Sequence, residues 1–245
     1  MRTNGALRIF LYNWPVYVAT WVPASLLLVL TTYLHPPVSS LAALAATTAL
    51  AWSIGSLLVS FYVYDRSRLV SGTWVPALVG ARAETWATIH AGLDAEVELD
   101  AVMAGRCVAR LDIFDPRVMT SPSITRARGR TAMTKPATPC SPTALTLGDE
   151  ACDAVVVAFT AHEIRDRNAR EAFFAELRRS LRPGGKVLIV EHLRDVANFL
   201  ASGPGFLHFV SRGEWLRLAT TAKLDVAGET RITPWVMALT LQRPL

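Results

Sequence analysis

Three of the chain's five histidines stand where a β-rich run gives out. His90 closes ATIH (87–90), His162 follows AVVVAFT (154–160), and His192 follows KVLIVE (186–191). Glu163 and Glu191 are immediate neighbours of the last two, and Asp94 lies just beyond the first. Imidazole titrates near neutrality, so a histidine beside a carboxylate suits proton transfer to or from a reacting hydroxyl. Imidazoles with carboxylates are also plausible zinc or iron ligands, but the spacing is no recognised local motif and no metal is expected. Cys107, Cys140 and Cys152 are odd in number and fit no zinc pattern, which reads as reduced thiols in a cytosolic compartment.

The elements that must carry these residues alternate. RCVARLDI (106–113) joins the three runs above as a candidate strand, and the runs at 154–160 and 186–191 are near-continuously apolar, as in a parallel sheet covered on both faces. Between those two a helix is expected, capped by Asn168 and Glu171, carrying Phe173, Phe174, Leu177 and Leu181 at helical spacing, and stopped by Pro183-Gly184-Gly185. A second helix, capped by Ser211 and Glu214, turns Trp215, Leu218, Ala219 and Ala222 one way. VAGETRITP and WVMALTLQR then read as two strands joined near Thr233-Pro234, an antiparallel finish. Residues 121–147, rich in Pro, Thr, Ser and Arg, predict one early helix and then a poor strand or a loop.

Upstream the composition changes. Between Arg8 and Asp65 there is no Asp, Glu, Lys or Arg, in a chain that is 18% charged. Pro36-Pro37 divides this stretch into two apolar segments, about 14–34 and 41–64, each close to or above the roughly 20 residues that cross about 30 Å of hydrocarbon. Trp14, Tyr17, Trp21 and Tyr33, with Tyr62 and Tyr64, suit the headgroup zone. Arg2 and Arg8 before the pair, and Arg66 and Arg68 after it, place both termini in the cytoplasm by the positive-inside rule. A cleaved signal would leave the second segment unexplained. The organisation expected is a membrane anchor over 1–68, a linker over 69–84 and a catalytic domain over 85–245. The net charge of +5 is modest, and Arg126, Arg128, Arg130 and Lys135 form a loose basic loop, solvated or near anionic lipid, so no nucleic-acid partner is expected.

Over DAVVVAFTAHEIRD (153–166) and AFFAELRRSLRPGGKVLIVEHLRD (172–195) the chain resembles the C-terminal half of class I S-adenosylmethionine-dependent methyltransferases of the type 11 kind. The resemblance implies an α/β fold: a Rossmann-like, mostly parallel, seven-stranded sheet with an antiparallel terminal hairpin. It implies S-adenosylmethionine at the carboxyl ends of the strands. TWATIHAGLD (85–94) falls on the family's glycine-rich motif, with His90, Gly92 and Asp94 where glycines usually stand. RCVARLDIFDPRVM falls on the second strand, so Asp112, or alternatively Asp115, would take the ribose hydroxyls. Ser141 falls where the family has an acid for the adenine amino group, and Phe159, in the run at 154–160, is a further cofactor contact that the resemblance implies.

On the family's strand order His90, His162 and His192 line one rim. His162 or His192 is then the expected general base, with Glu163 beside it, and alignment and desolvation are the remaining tasks. Phe199, Leu200, Phe206, Leu207 and Phe209, within NFLASGPGFLHFVSR, would form a greasy lid near a bilayer. The expected protein is a membrane-anchored methyltransferase for a small, lipid-like acceptor. The alternative is a degenerate methyltransferase fold serving as a membrane-bound binding module. The acceptor atom and the oligomeric state are not legible.

Overall fold

The computed structural model describes residues 5–80, 83–92, 99–130 and 136–245. The chain forms two compact units, 1–66 and 67–245.

The first unit is a helical hairpin of α1 (Gly5–Leu30) and α2 (Val38–Phe61). The side chains of Trp21 and Ser53 join the helices, the indole N–H donating at 2.7 Å. The α1 N-terminus would leave its first amides unpaired. Asp65 supplies the acceptors, taking the Ala6 N–H at 2.8 Å and the Gly5 N–H at 2.5 Å. Val16, Val22, Leu26 and Val29 of α1, and Leu41, Leu44, Ile54 and Leu58 of α2, are exposed. Both helices are long and apolar enough to cross a membrane.

The second unit is a seven-stranded sheet, as expected. In chain order it comprises β1 (Thr85–His90), β2 (Arg106–Asp112), β3 (Thr138–Pro139), β4 (Cys152–Ala158), β5 (Leu181–His192), β6 (Asp225–Thr233) and β7 (Val236–Gln242). Its spatial order is β3-β2-β1-β4-β5-β7-β6, parallel from β3 to β5 and antiparallel across β7 and β6. α3 (Val75–Val79) precedes β1, and between the strands lie α4 (Leu99–Val102), α5 (Pro122–Arg130), α6 (Arg167–Ser180), α7 (Val196–Ser202) and α8 (Arg212–Thr221). The segment 69–84 contains α3, which packs against β5 with Val75 and Val79 buried.

Alternation along the strands divides the core. Ile89, Val155, Val157, Val187 and Ile189 join Phe173, Phe174 and Leu177 of α6 and Trp215 and Leu218 of α8. Phe174 stacks on Trp215 at 6.0 Å between ring centroids. Two local expectations change. The cap of α6 is Asp166, which accepts the Ala169 N–H at 2.7 Å, rather than the pair Asn168 and Glu171. Glu171 instead accepts from the Arg217 guanidinium at 2.7 Å, so a tertiary ion pair takes the carboxylate that a capping box would need. Pairing of β5 begins at Leu181, and a Cβ at Gly185 would stand 2.9 Å from the Arg182 carbonyl oxygen, which is why the strand enters through glycine. Ser211 caps α8 as expected.

The Trp215 side chain is fully buried, and its indole N–H has no partner among the described residues. Trp215→Ala should cost about 3–5 kcal/mol of unfolding free energy. Trp215→Phe, which keeps the stack and removes a donor whose burial itself costs about 1–3 kcal/mol, should cost far less. Denaturant unfolding of the full chain in detergent, followed by circular dichroism, measures both.

Candidate active site at the strand ends

The register places the site. His90 pairs with Asp112, Ile89 with Val157, Val157 with Ile189, and Ala158 with Val190. The next residues along, His90, Ala158 and Val190, therefore lie level across β1, β4 and β5. Phe159 and Glu191 form the row beyond, and His192 ends β5.

On the β1–β2 side, Gly92 sits at φ +89°, a conformation that L side chains rarely adopt. The buried His90 ring turns back on this loop, its Nδ1 accepting the Gly92 N–H at 3.2 Å. Asp112 is buried at the end of β2. It accepts the Phe114 N–H at 3.1 Å, and both its oxygens accept from Arg128, at 3.1 and 2.9 Å. The Arg128 guanidinium lies 4.3 Å from the Phe114 ring centroid. Its stem crosses the turn, since a Cβ at Gly92 would come within 2.7 Å of Arg128 Cγ. Arg128 is thus no member of a loose solvated loop: it is one of two last-turn arginines of α5, drawn to the carboxylate.

The β4–β5 side is built around Glu191, which is 1% exposed. One oxygen accepts the Thr160 and His162 backbone N–H groups at 3.0 and 3.3 Å, and the other lies 2.7 Å from His162 Nδ1. Glu163 Oε1 lies 3.5 Å from His162 Nε2 and 3.1 Å from His208 Nε2. Burial alone would lower the His162 pKa, but Glu191 and Glu163 override it and push it up to about 9. Burial would raise Glu163, and the hydrogen bonds from His162 and His208 instead hold it far below the usual carboxylate range.

His192 is sandwiched, 5.3 Å from the Phe159 ring centroid and 5.0 Å from that of Phe209. Its Nδ1 faces two oxygen acceptors, Trp235 O at 2.9 Å and Asn198 Oδ1 at 3.1 Å, so Nδ1 carries the proton and Nε2 is the basic nitrogen. Burial pushes its pKa below the usual imidazole value. Phe159 takes φ +49°, uncommon for a bulky residue, at the point where β4 gives way to the loop.

The His162 and His192 rings both lie against Phe209, with Glu163 beside His162, while His90 stands in the Gly92 turn on β1. Asp115 is engaged by its own neighbour Arg117, at 3.0 and 2.7 Å, in a turn ahead of Pro116. Ser141 is exposed and bonded within its own turn to Thr143. Asp94 and Lys135 lie outside the described residues. Sequence reasoning missed Arg128 and His208. For His208 the available signal was a lone imidazole inside an apolar stretch, next to a Phe that turns inward. Arg165 and Arg194 hold that stretch by its backbone, donating to the carbonyls of His208, Phe209 and Leu207 at 2.8–2.9 Å.

Residues 108–189 match the family model described as "Methyltransferase domain". Over that third of the chain the sequence matches a methyltransferase domain. Among solved structures, a SAM-dependent methyltransferase from Aquifex aeolicus superposes with a TM-score of 0.54 at 16% identity, over 78% of this chain and 97% of that one. A Burkholderia thailandensis 1,6-didemethyltoxoflavin-N1-methyltransferase, with its substrate and S-adenosylhomocysteine bound, superposes with a TM-score of 0.51 at 16% identity, over 86% and 92%. None of the curated proteins matches the chain.

The donors and acceptors of the β1–β2 side suit S-adenosylmethionine chemically. The positive-φ turn at Gly92 lets backbone approach a ligand, and Asp112 offers two acceptor oxygens to the two donors of a ribose edge. Arg128 holds those oxygens and would have to leave them for a ribose to arrive. Hydrogen bonds to a charged group are worth about 1.5–3 kcal/mol, roughly tenfold or more in affinity. Calorimetric titration with S-adenosylhomocysteine should find Arg128→Ala several-fold tighter than the natural chain and Asp112→Ala at least tenfold weaker. Weaker binding by Arg128→Ala would show that the arginine is a ligand contact rather than an occupant.

Proposed function

We propose that the chain is a membrane-anchored, S-adenosylmethionine-dependent methyltransferase acting at the cytoplasmic face on a small, lipid-soluble acceptor. The observation that carries the reading is the pairing, on one sheet edge, of the Gly92 turn and the Asp112 carboxylate with a neutral, oriented His192 on β5, two strands from β1 and three from β2. S-adenosylmethionine, when bound, supplies a sulfonium-activated methyl group for in-line displacement. The chain's own residues do the rest. Asp112 receives the ribose edge. His192 takes the acceptor's hydroxyl proton on Nε2 as the acceptor oxygen gains the methyl, and the Trp235 carbonyl stabilises the charge that the ring acquires. Phe159 and Phe209 hold the imidazole between apolar rings and exclude water. His162 is poorly placed as the base, because carboxylates engage both its ring nitrogens, and Glu163 serves by fixing it.

Support for a lipid-soluble acceptor comes from the segment after β5. Phe199, Leu200 and Leu207 are exposed, while Phe209 and Phe206 are partly covered. An exposed apolar group of this kind commonly marks a ligand or membrane contact. The two long apolar helices, with arginines before and after them and none between, support anchoring with both ends in the cytoplasm. The position of Arg128 on Asp112 favours a second reading, a binding module in which the arginine has permanently replaced the cofactor.

Methyl transfer from S-adenosylmethionine labelled in the methyl group, by the full chain in vesicles of total membrane lipid, tests the first reading. Label should enter the organic phase, and His192→Gln should reduce the rate by about 10²–10⁴. Because burial lowers the His192 pKa, the neutral base is already present at pH 7. The rate should therefore hold between pH 7 and 8 and fall only as the pH drops below about 6.5, the ordinary imidazole value. No label in the organic phase, from the natural chain or from Arg128→Ala, would favour the binding module.

A further inference from the structure

We infer that His162, Glu163 and His208 form a binding site for a divalent transition-metal ion of the zinc type. The ligand atoms of these three residues lie within 4.8 Å of one another. Ligands about 2.0–2.1 Å from a tetrahedral ion stand about 3.3 Å apart. The separations from Glu163 Oε1, 3.1 Å to His208 Nε2 and 3.5 Å to His162 Nε2, bracket that value. Two imidazoles and one carboxylate are a donor set that suits zinc, cobalt or iron better than calcium or magnesium, which take all-oxygen shells.

Two independent features point to a ligand. Glu163 is 2% exposed, and its Oε2 has no hydrogen-bond partner among the described residues, so acceptor capacity is left over on the carboxylate that both imidazoles approach. Behind the cluster, the Glu191 carboxylate lies against His162 Nδ1 at 2.7 Å. That is the arrangement by which a carboxylate fixes the tautomer and ring plane of a metal-bound histidine, leaving Nε2 to face the ion. The two backbone N–H groups that Glu191 also accepts keep the carboxylate from rotating away.

Arg165 stands opposite. Its guanidinium touches both ring nitrogens of His208 and comes to 3.8 Å from Glu163 Oε2. Its side chain is 39% exposed, so it can swing into solvent when an ion enters, and it opposes the ion while it stays. The site joins the loop after β4 to the segment after α7, which also meet through the His162–Phe209 ring contact and the Arg165–His208 carbonyl bond. The inference goes beyond the methyltransferase reading and does not rest on it.

The full chain in detergent, stripped with a chelator and freed of any affinity tag, is titrated with Co²⁺ and followed by its visible ligand-field absorption, with Zn²⁺ as the competitor. One equivalent should bind with the absorption of a low-coordinate nitrogen–oxygen site, and Zn²⁺ should displace it. His208→Ala and Glu163→Gln should each weaken binding at least tenfold. Glu191→Gln should weaken it by about 10–100-fold through the His162 ring. Arg165→Met should tighten it, a gain that misfolding cannot produce. Absence of stoichiometric Co²⁺ and Zn²⁺ uptake, or unchanged affinity in His208→Ala, would overturn the proposal.

Discussion

A carboxylate in an apolar interior is tolerated only where enough donors surround it, and Glu191 is the point at which this protein meets that demand. Three N–H groups from the loop after β4 converge on it, two of them backbone. The cost of burying the charge is offset only in one conformation of that loop, so the loop is held there. His162 follows because its Nδ1 is one of the donors, and Glu163 and His208 follow from the other face of the His162 ring. The next residue of the strand, His192, is fixed from the opposite direction. Antiparallel pairing of β5 with β7 brings His192 level with Val236, beside the Trp235 carbonyl that orients its ring.

The same rule acts on the other side of the site. Asp112 ends β2 in a buried position and also needs donors. Arg128 supplies two from α5, in the paired geometry that a ribose edge presents. The carboxylate thus has one set of oxygens and two candidate occupants, one from the chain and one from a cofactor. The exchange between them sets how strongly this domain holds S-adenosylmethionine in the proposed reaction. It also gives physical content to the departure of TWATIHAGLD from a glycine-rich loop. The glycine that remains, Gly92, is the one whose backbone requires it, and the buried His90 ring holds its amide.

Elements whose cause is local were legible in the sequence. The unbroken apolar runs of β4 and β5, the helical spacing of Phe173, Phe174 and Leu177, and the Ser211 cap each follow from short-range patterning. The α6 cap was misread because Asn168 and Glu171 have the right spacing, while Arg217, forty-six residues on, claims the glutamate. The site divides in the same way. The position of His162, Glu163 and His192 at the strand ends was legible because strand ends can be read from a run. Arg128 and His208 were not, since only the folded chain brings an α5 arginine across Gly92 or a lid histidine onto Glu163. Ser141, placed by correspondence alone, lies in a self-bonded turn.

The central claim is that the edge formed by Gly92 and Asp112 receives S-adenosylmethionine. Hydrogen–deuterium exchange of the full chain in detergent, with and without saturating S-adenosylhomocysteine, tests it most directly. The account predicts slowed exchange in peptides covering Ala91–Gly92 and Ile113–Asp115. It also predicts faster exchange or no change in α5, as Arg128 leaves the carboxylate. Unaltered exchange at both turns under saturating ligand would contradict it.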